Sequence, residues 1–148
     1  MAQVKHLLAR KGKAVWSVRP DSTVAEAVKL MDKQNIGALV VMEGDNLVGI
    51  ISERDLVRHM SRAGMVNLTD SVSNFMTSNV FFSEQSNSVD ECLKLMSEKH
   101  IRHLPVMEKG KVVGVISVND LIKEIIADRE TTIISLENYI IGKEVVNG

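Results

Sequence analysis

The sequence predicts an α+β protein made of two copies of one β-α-β-β-α unit, followed by a C-terminal helix. Three observations predict it. Residues 15–60 align with residues 80–125 at a constant offset of 65, without a gap and with seventeen identities. Within each copy a 3.6-residue apolar stripe is followed by two short apolar runs separated by a turn. Aromatics make up only 3% of the 148 residues, so each core must be aliphatic. Two copies are too few for a solenoid, and each is too small to bury its apolar face alone. The copies are therefore expected to pack about a pseudo-twofold axis.

The elements follow in order. Val15–Val18 and Val80–Ser83 read as short extended stretches. Thr23-x-x-Glu26 and Ser88-x-x-Glu91 are capping boxes, in which hydroxyl and carboxylate close the orphan amides of a helix start. Ala27, Leu30 and Met31, and likewise Cys92, Leu95 and Met96, give those helices an apolar stripe. Ala38–Met42 with Leu47–Ile51, and His103–Met107 with Val112–Ile116, read as hairpins closed at Glu43–Asn46 and Glu108–Lys111. A second helix opens at Ser52 and at Ser117. Residues 61–79, with Gly64, Asn67, Thr69, Ser71 and Ser73, form a linker with a short helix around Ser71–Met76. From Asp120 to Ile141 there is no Gly or Pro, and Ile122, Ile126, Ile133, Leu136 and Ile140 mark a narrow seam on one helix or two. That seam fits either packing on its own domain or a dimer contact. The repeat divides the chain into 1–66, 67–126 and a tail of 127–148.

Composition narrows the function classes. The net charge of −1 gives no basic field for nucleic acid. Cys92 is the single cysteine, which excludes an intramolecular disulfide and a CxxC site. It sits on an apolar helical stripe and reads as a buried, inert thiol. His6, His59 and His100 share no ligand spacing with carboxylates or Cys92, so no metal site is expected. The longest apolar run, Ile36–Met42, is far shorter than the roughly 18 residues a membrane span needs. Met1–Lys13 carries no apolar signal segment, so a cytoplasmic, membrane-free protein is expected.

The segment Gly49-Ile50-Ile51-Ser52-x-x-Asp55 runs from a strand into a helix. A helix N-terminus offers unpaired N–H groups to a phosphate. The glycine leaves room for a close approach, and a carboxylate one turn into the helix accepts from a ribose diol. The same residues also explain themselves locally: Ser52 is a good N-cap, and Asp55 favours the positive end of the helix dipole. Ser117 and Asp120 repeat the pattern.

The two runs Ile36-Gly37-Ala38-Leu39-Val40-Val41 and Leu47 to Leu56, with their counterparts Ile101-Arg102-His103-Leu104-Pro105-Val106 and Val112 to Leu121, resemble the CBS domain, present as a tandem pair. The resemblance covers residues 15 to about 126 and is greatest to small stand-alone bacterial CBS-pair proteins. It implies two clefts between the units, each taking ribose contacts from one unit and base contacts from the other. One cleft would join Ser52, Arg54 and Asp55 to Thr77, Val80, Arg102, His103 and Pro105. The other would join Ser117, Asn119 and Asp120 to Lys11–Val15, with Lys13 and Val15, and to Gly37 and Ala38. Arg102 and His103 replace Gly37 and Ala38, so the first cleft offers a guanidinium and an imidazole to phosphate, while the second is neutral at that position, with Lys11 and Lys13 able to supply charge. The resemblance implies a non-catalytic sensor for AMP, ADP, ATP or NAD(H), a homodimer, and a downstream protein that reads the bound state. The alternatives are a dimerising interaction module with empty clefts, and a nucleotide-processing enzyme.

Overall fold

The computed structural model describes residues 2–141, with side chains through Glu130 and at Ile133. The element order is α1 (Val4–Lys11), β1 (Ser17–Val18), α2 (Val24–Gln34), β2 (Ala38–Glu43), β3 (Asn46–Ser52) and α3 (Glu53–Ala63). A 3-10 turn (Val72–Asn74) leads to β4 (Ser83–Glu84), α4 (Val89–Lys99), β5 (His103–Glu108), β6 (Lys111–Ser117) and α5 (Val118–Ile141). The strands form two three-stranded sheets, β1-β2-β3 and β4-β5-β6. In each, the short first strand is parallel to the second, and the second and third form an antiparallel hairpin. The extended stretches are shorter than the sequence suggests, two residues each, because only Ser17–Val18 and Ser83–Glu84 reach a ladder partner.

Local chemistry accounts for the helices. Thr23 caps α2 by accepting from the Glu26 amide, and Ser88 caps α4 by accepting from Glu91. Asn35 and His100 end these helices in the left-handed conformation, at φ 54° and 55°. The hairpins close on two-residue loops in which Gly44 and Gly110 take positive φ. The tail is a single helix through Ile141 and continues α5 without a break. Among the described residues no helix is long and apolar enough to cross a membrane.

The packing crosses between the halves. The second core contains Val89, Cys92, Met96, Leu104, Val106, Ile116 and Leu121, and also Val4, Leu7 and Leu8 from α1. The first core contains Val24, Ala27, Met31, Leu39, Val41, Ile51 and Leu56, and also Val72 and Phe75 from the linker. Backbone hydrogen bonds fasten both exchanges. Val4 donates to Asn87, Lys5 to Gln85 and Val89 to Ala2; Val24 donates to Asp70, Ala25 to Leu68 and Val72 to Ser22. So the N-terminal segment belongs by packing to the second half, and residues 68–77 to the first. The repeat alone does not show this exchange, because identity begins only at Val15.

The exchange explains two glycines. A Cβ on Gly114 would stand 2.7 Å from Cδ2 of Leu8, and one on Gly49 would stand 2.6 Å from Sδ of Met76 and 3.1 Å from the Thr77 carbonyl oxygen. These glycines make room for the other half's lead-in segment, not for a ligand as their place in the motif suggests.

On α5, Leu121, Glu124 and Ile125 face the protein, while Ile122, Ile126 and Ile133 are exposed. The seam read from the sequence is thus not the stripe that packs on the second core; Leu136 and Ile140 lie outside the described side chains. Leu8 is the test of the exchanged packing. Leu8→Ala removes a fully buried side chain and is expected to cost about 2–5 kcal/mol, read as a lower urea midpoint.

Candidate functional site

A cavity of about 640 Å³ opens between the halves. The first half contributes Gly37, Ile50 at the end of β3, and Ser52, Glu53, Arg54, Asp55, Val57 and Arg58 at the start of α3. The second half contributes Lys99, His100, Ile101, Arg102 and His103, from the end of α4 to the start of β5. Thr77, Asn79, Val80 and Phe81 close the third side.

Ser52 and Asp55 build the floor. The Ser52 amide and hydroxyl donate to one Asp55 carboxylate oxygen at 2.8 and 3.0 Å, and the Asp55 amide donates back to the hydroxyl at 3.3 Å. This reciprocal cap fixes the carboxylate at the positive end of α3. Its other oxygen accepts only a long 3.3 Å contact from the Thr77 hydroxyl, which leaves acceptor capacity facing the cleft. Thr77 is itself fixed, because its amide and carbonyl exchange hydrogen bonds with Ile50 at 2.8 and 3.0 Å.

The lining carries four cations, Lys99 and Arg102 from the second half and Arg54 and Arg58 from the first, and two carboxylates, Glu53 and Asp55. The Lys99 ammonium sits 5.2 Å from the centre of the Phe81 ring, a cation–π contact. Burial pushes the His103 imidazole below its usual range. Lys11 and Arg102 push it the same way, against Glu53 and Asp120. His103 therefore favours its neutral, hydrogen-bonding form more than a free histidine does.

The pseudo-symmetric aspartate is in a different state. The Ser117 amide donates to Asp120 at 2.8 Å and the Asp120 amide to the Ser117 hydroxyl at 3.2 Å, the same cap as in the first half. But the Lys11 ammonium, at the last turn of α1, donates to that carboxylate at 2.6 Å and to the Val115 carbonyl at 2.7 Å. Burial alone would raise the Asp120 carboxyl; the bonds from Lys11 and Ser117 outweigh it and hold it below the usual carboxylate range. One residue earlier, Arg10 stands 3.5 Å from the buried carboxylate of Glu124.

Of the residues expected around the first aspartate, Ser52, Arg54, Asp55, Thr77, Val80, Arg102 and His103 share one cleft, while Pro105 is buried within β5. Gly37, expected with Ser117, Asn119 and Asp120, instead lines the first cleft; a Cβ there would stand 3.4 Å from His103 Cε1. Ala38 is buried in β2, Val15 is half-buried, and Lys13 and Asn119 are exposed. The motif reading overlooked Lys99, His100, Arg58 and Phe81. The first two immediately precede the quoted run at Ile101, and Arg58 lies one turn beyond Asp55 on the same helix face. Cys92 is buried, and burial pushes its thiol up, as expected for an inert core cysteine.

A family model described as the CBS domain matches twice, at residues 5–62 and 72–127. The CBS domain-containing protein YhcV of Bacillus subtilis is 30% identical over 121 residues, covering 82% of this chain and 84% of that protein. The crystal structure of the CBS-domain containing protein ATU1752 from Agrobacterium tumefaciens superposes with a TM-score of 0.79 at 39% identity, over 83% of this chain and 98% of the other. The CBS domain pair of protein MJ0100, solved with 5′-methylthioadenosine and S-adenosyl-L-methionine, superposes with a TM-score of 0.75 at 25% identity, over 87% and 98% of the two chains. With two matches, a shared fold and the same paired architecture, this chain belongs to the CBS domain family as a tandem pair.

Proposed function

We propose that this protein is a non-catalytic regulatory module that binds an adenine nucleotide in the first cleft, with AMP, ADP, ATP and NAD(H) as the candidate ligands. The observation that carries the reading is the make-up of the cleft lining. It combines a fixed carboxylate, Asp55, whose second oxygen accepts only a long contact from Thr77, with Arg54, Arg58, Lys99 and Arg102. A nucleotide matches that lining, with a diol that donates to a carboxylate and phosphates that accept from cations. Ile50, Val80, Phe81 and Ile101 offer apolar walls to a base. The ligands of MJ0100 are both built on adenosine, which supports adenine as that base.

In this reading Asp55 accepts from the ribose hydroxyls, Ser52 and Thr77 hold Asp55 in place, and Arg54, Arg58, Lys99 and Arg102 meet phosphate. His103 bonds as a neutral imidazole. Binding shifts the two halves toward the arrangement that grips the ligand better, and a downstream protein reads the shift. The exposed Ile122, Ile126 and Ile133 of α5 supply the contact of a homodimer.

Four outcomes test the proposal. Asp55→Ala is expected to weaken ATP binding by about 1.5–3 kcal/mol, roughly 10- to 150-fold, in calorimetry. Arg102→Ala is expected to weaken ATP by roughly tenfold or more while leaving adenosine within about twofold, because it removes a charge-assisted bond to phosphate alone. Equal losses for both ligands would place the phosphates elsewhere, and turnover of ATP or NADH by the purified protein would contradict a non-catalytic role. In sedimentation, Ile126→Glu is expected to convert a dimer to a monomer.

The fourth outcome concerns pH. The folded His103 titrates below its ordinary 6.5, so the unfolded chain takes up this proton first. The contribution to stability is complete above pH 6.5 and is lost progressively as pH falls below it. His103→Gln should remove that part of the loss, read as a smaller drop in urea midpoint between about pH 7.5 and 5.5.

A further inference from the structure

The two halves carry the same aspartate motif, yet only one aspartate faces the cavity without a charged partner. Asp55 receives a neutral 3.3 Å contact from Thr77, whereas Asp120 receives the ammonium of Lys11 at 2.6 Å. The same ammonium also bonds the Val115 carbonyl, the repeat counterpart of the Ile50 carbonyl that the Thr77 amide satisfies in the first half. One lysine thus performs both tasks of Thr77, and adds a charge.

The backbone of Lys11 is anchored, although its side chain is 40% exposed. It ends α1, whose Val4, Leu7 and Leu8 are buried in the second core and whose Arg10 meets Glu124 one turn beyond Asp120 on α5. Two neighbouring cations therefore face two carboxylates spaced by one helical turn. A ribose diol that took both oxygens of Asp120 would have to displace a charge-assisted hydrogen bond from Oδ2, in a setting where the carboxylate is half-buried. The cationic set is also reduced: the repeat puts Gln34, Asn35, Gly37 and Ala38 where the first cleft has Lys99, His100, Arg102 and His103, and Asn119 where it has Arg54, keeping only Lys123 in place of Arg58.

We infer that Lys11 is a built-in occupant of the second aspartate, which closes that cleft to nucleotides and leaves each chain with a single nucleotide site. This rests on the nucleotide reading of the first cleft. The closed cleft is a fastening for α1, and the free ligand enters only at Asp55.

Calorimetry with ATP tests it on the full chain. The wild type is expected to bind one ATP per chain, Asp120→Ala to bind it within about twofold of wild type, and Asp55→Ala to bind it roughly 10- to 150-fold more weakly. Lys11→Met, or Lys11→Gln should the first variant unfold, is expected to add a second and weaker site, at least roughly tenfold tighter than any second site of the wild type. In Asp55→Ala/Lys11→Met that second site is expected to persist while the first is weakened as in Asp55→Ala. Two ATP per chain in the wild type, or one per chain still in both Lys11 variants, would overturn the inference and leave the first-cleft reading standing. Absence of ATP binding in every folded variant would overturn both together.

Discussion

Neither half of this chain can complete its own core. The second sheet and its helices are closed by Val4, Leu7 and Leu8, which precede the first half, and the first sheet is closed by Val72 and Phe75, which precede the second. Burying these side chains removes apolar surface that either half would expose if it stood alone. The exchange locks the halves together and so creates the seam in which the cavity lies. It also sets the chemistry at that seam, because each exchanged segment ends at an aspartate. Thr77 follows directly on Met76 and reaches Asp55; Lys11 ends α1 and reaches Asp120.

From that shared frame the two sites have diverged through few positions. The capping geometry is the same at Ser52–Asp55 and Ser117–Asp120, with the cap amide donating to the carboxylate at 2.8 Å in both. What differs is what faces it. A threonine hydroxyl faces the second oxygen of one carboxylate, and a lysine ammonium pairs with the capped oxygen of the other. The cations of the open cleft come from both halves, Arg54 and Arg58 from one and Lys99 and Arg102 from the other. A charged ligand held there touches both units at once, which is the condition for it to bias their relative arrangement.

Much of this was legible in the residues. The gapless repeat gave the unit order, and the cap hydroxyls of Thr23 and Ser88 located the helices correctly because a cap is a local interaction of residues three apart; the reciprocal half of the box forms only at Thr23, since the Glu91 carboxylate accepts from Asn87 instead. Ser52, Asp55, Arg102 and His103 were placed on one cleft through the resemblance. The exchange of lead-in segments was not legible. Val4, Leu7 and Leu8 show helical spacing, but a stripe does not say which of two similar cores it enters. Gly49 therefore reads as a ligand clearance from its motif, when Met76 fills the space, as Leu8 does at Gly114. The burial of His103 is likewise a tertiary fact that no neighbour in sequence records.

The central claim is that an adenine nucleotide occupies the seam beside Asp55, bridging the halves. Photolabelling with 8-azido-ATP followed by peptide mapping tests this most directly. The account predicts label on peptides from both halves, within residues 50–58, 77–81 or 99–103, and its suppression by excess ATP. Label confined to residues 115–123, or distributed over the surface and insensitive to ATP, would contradict it.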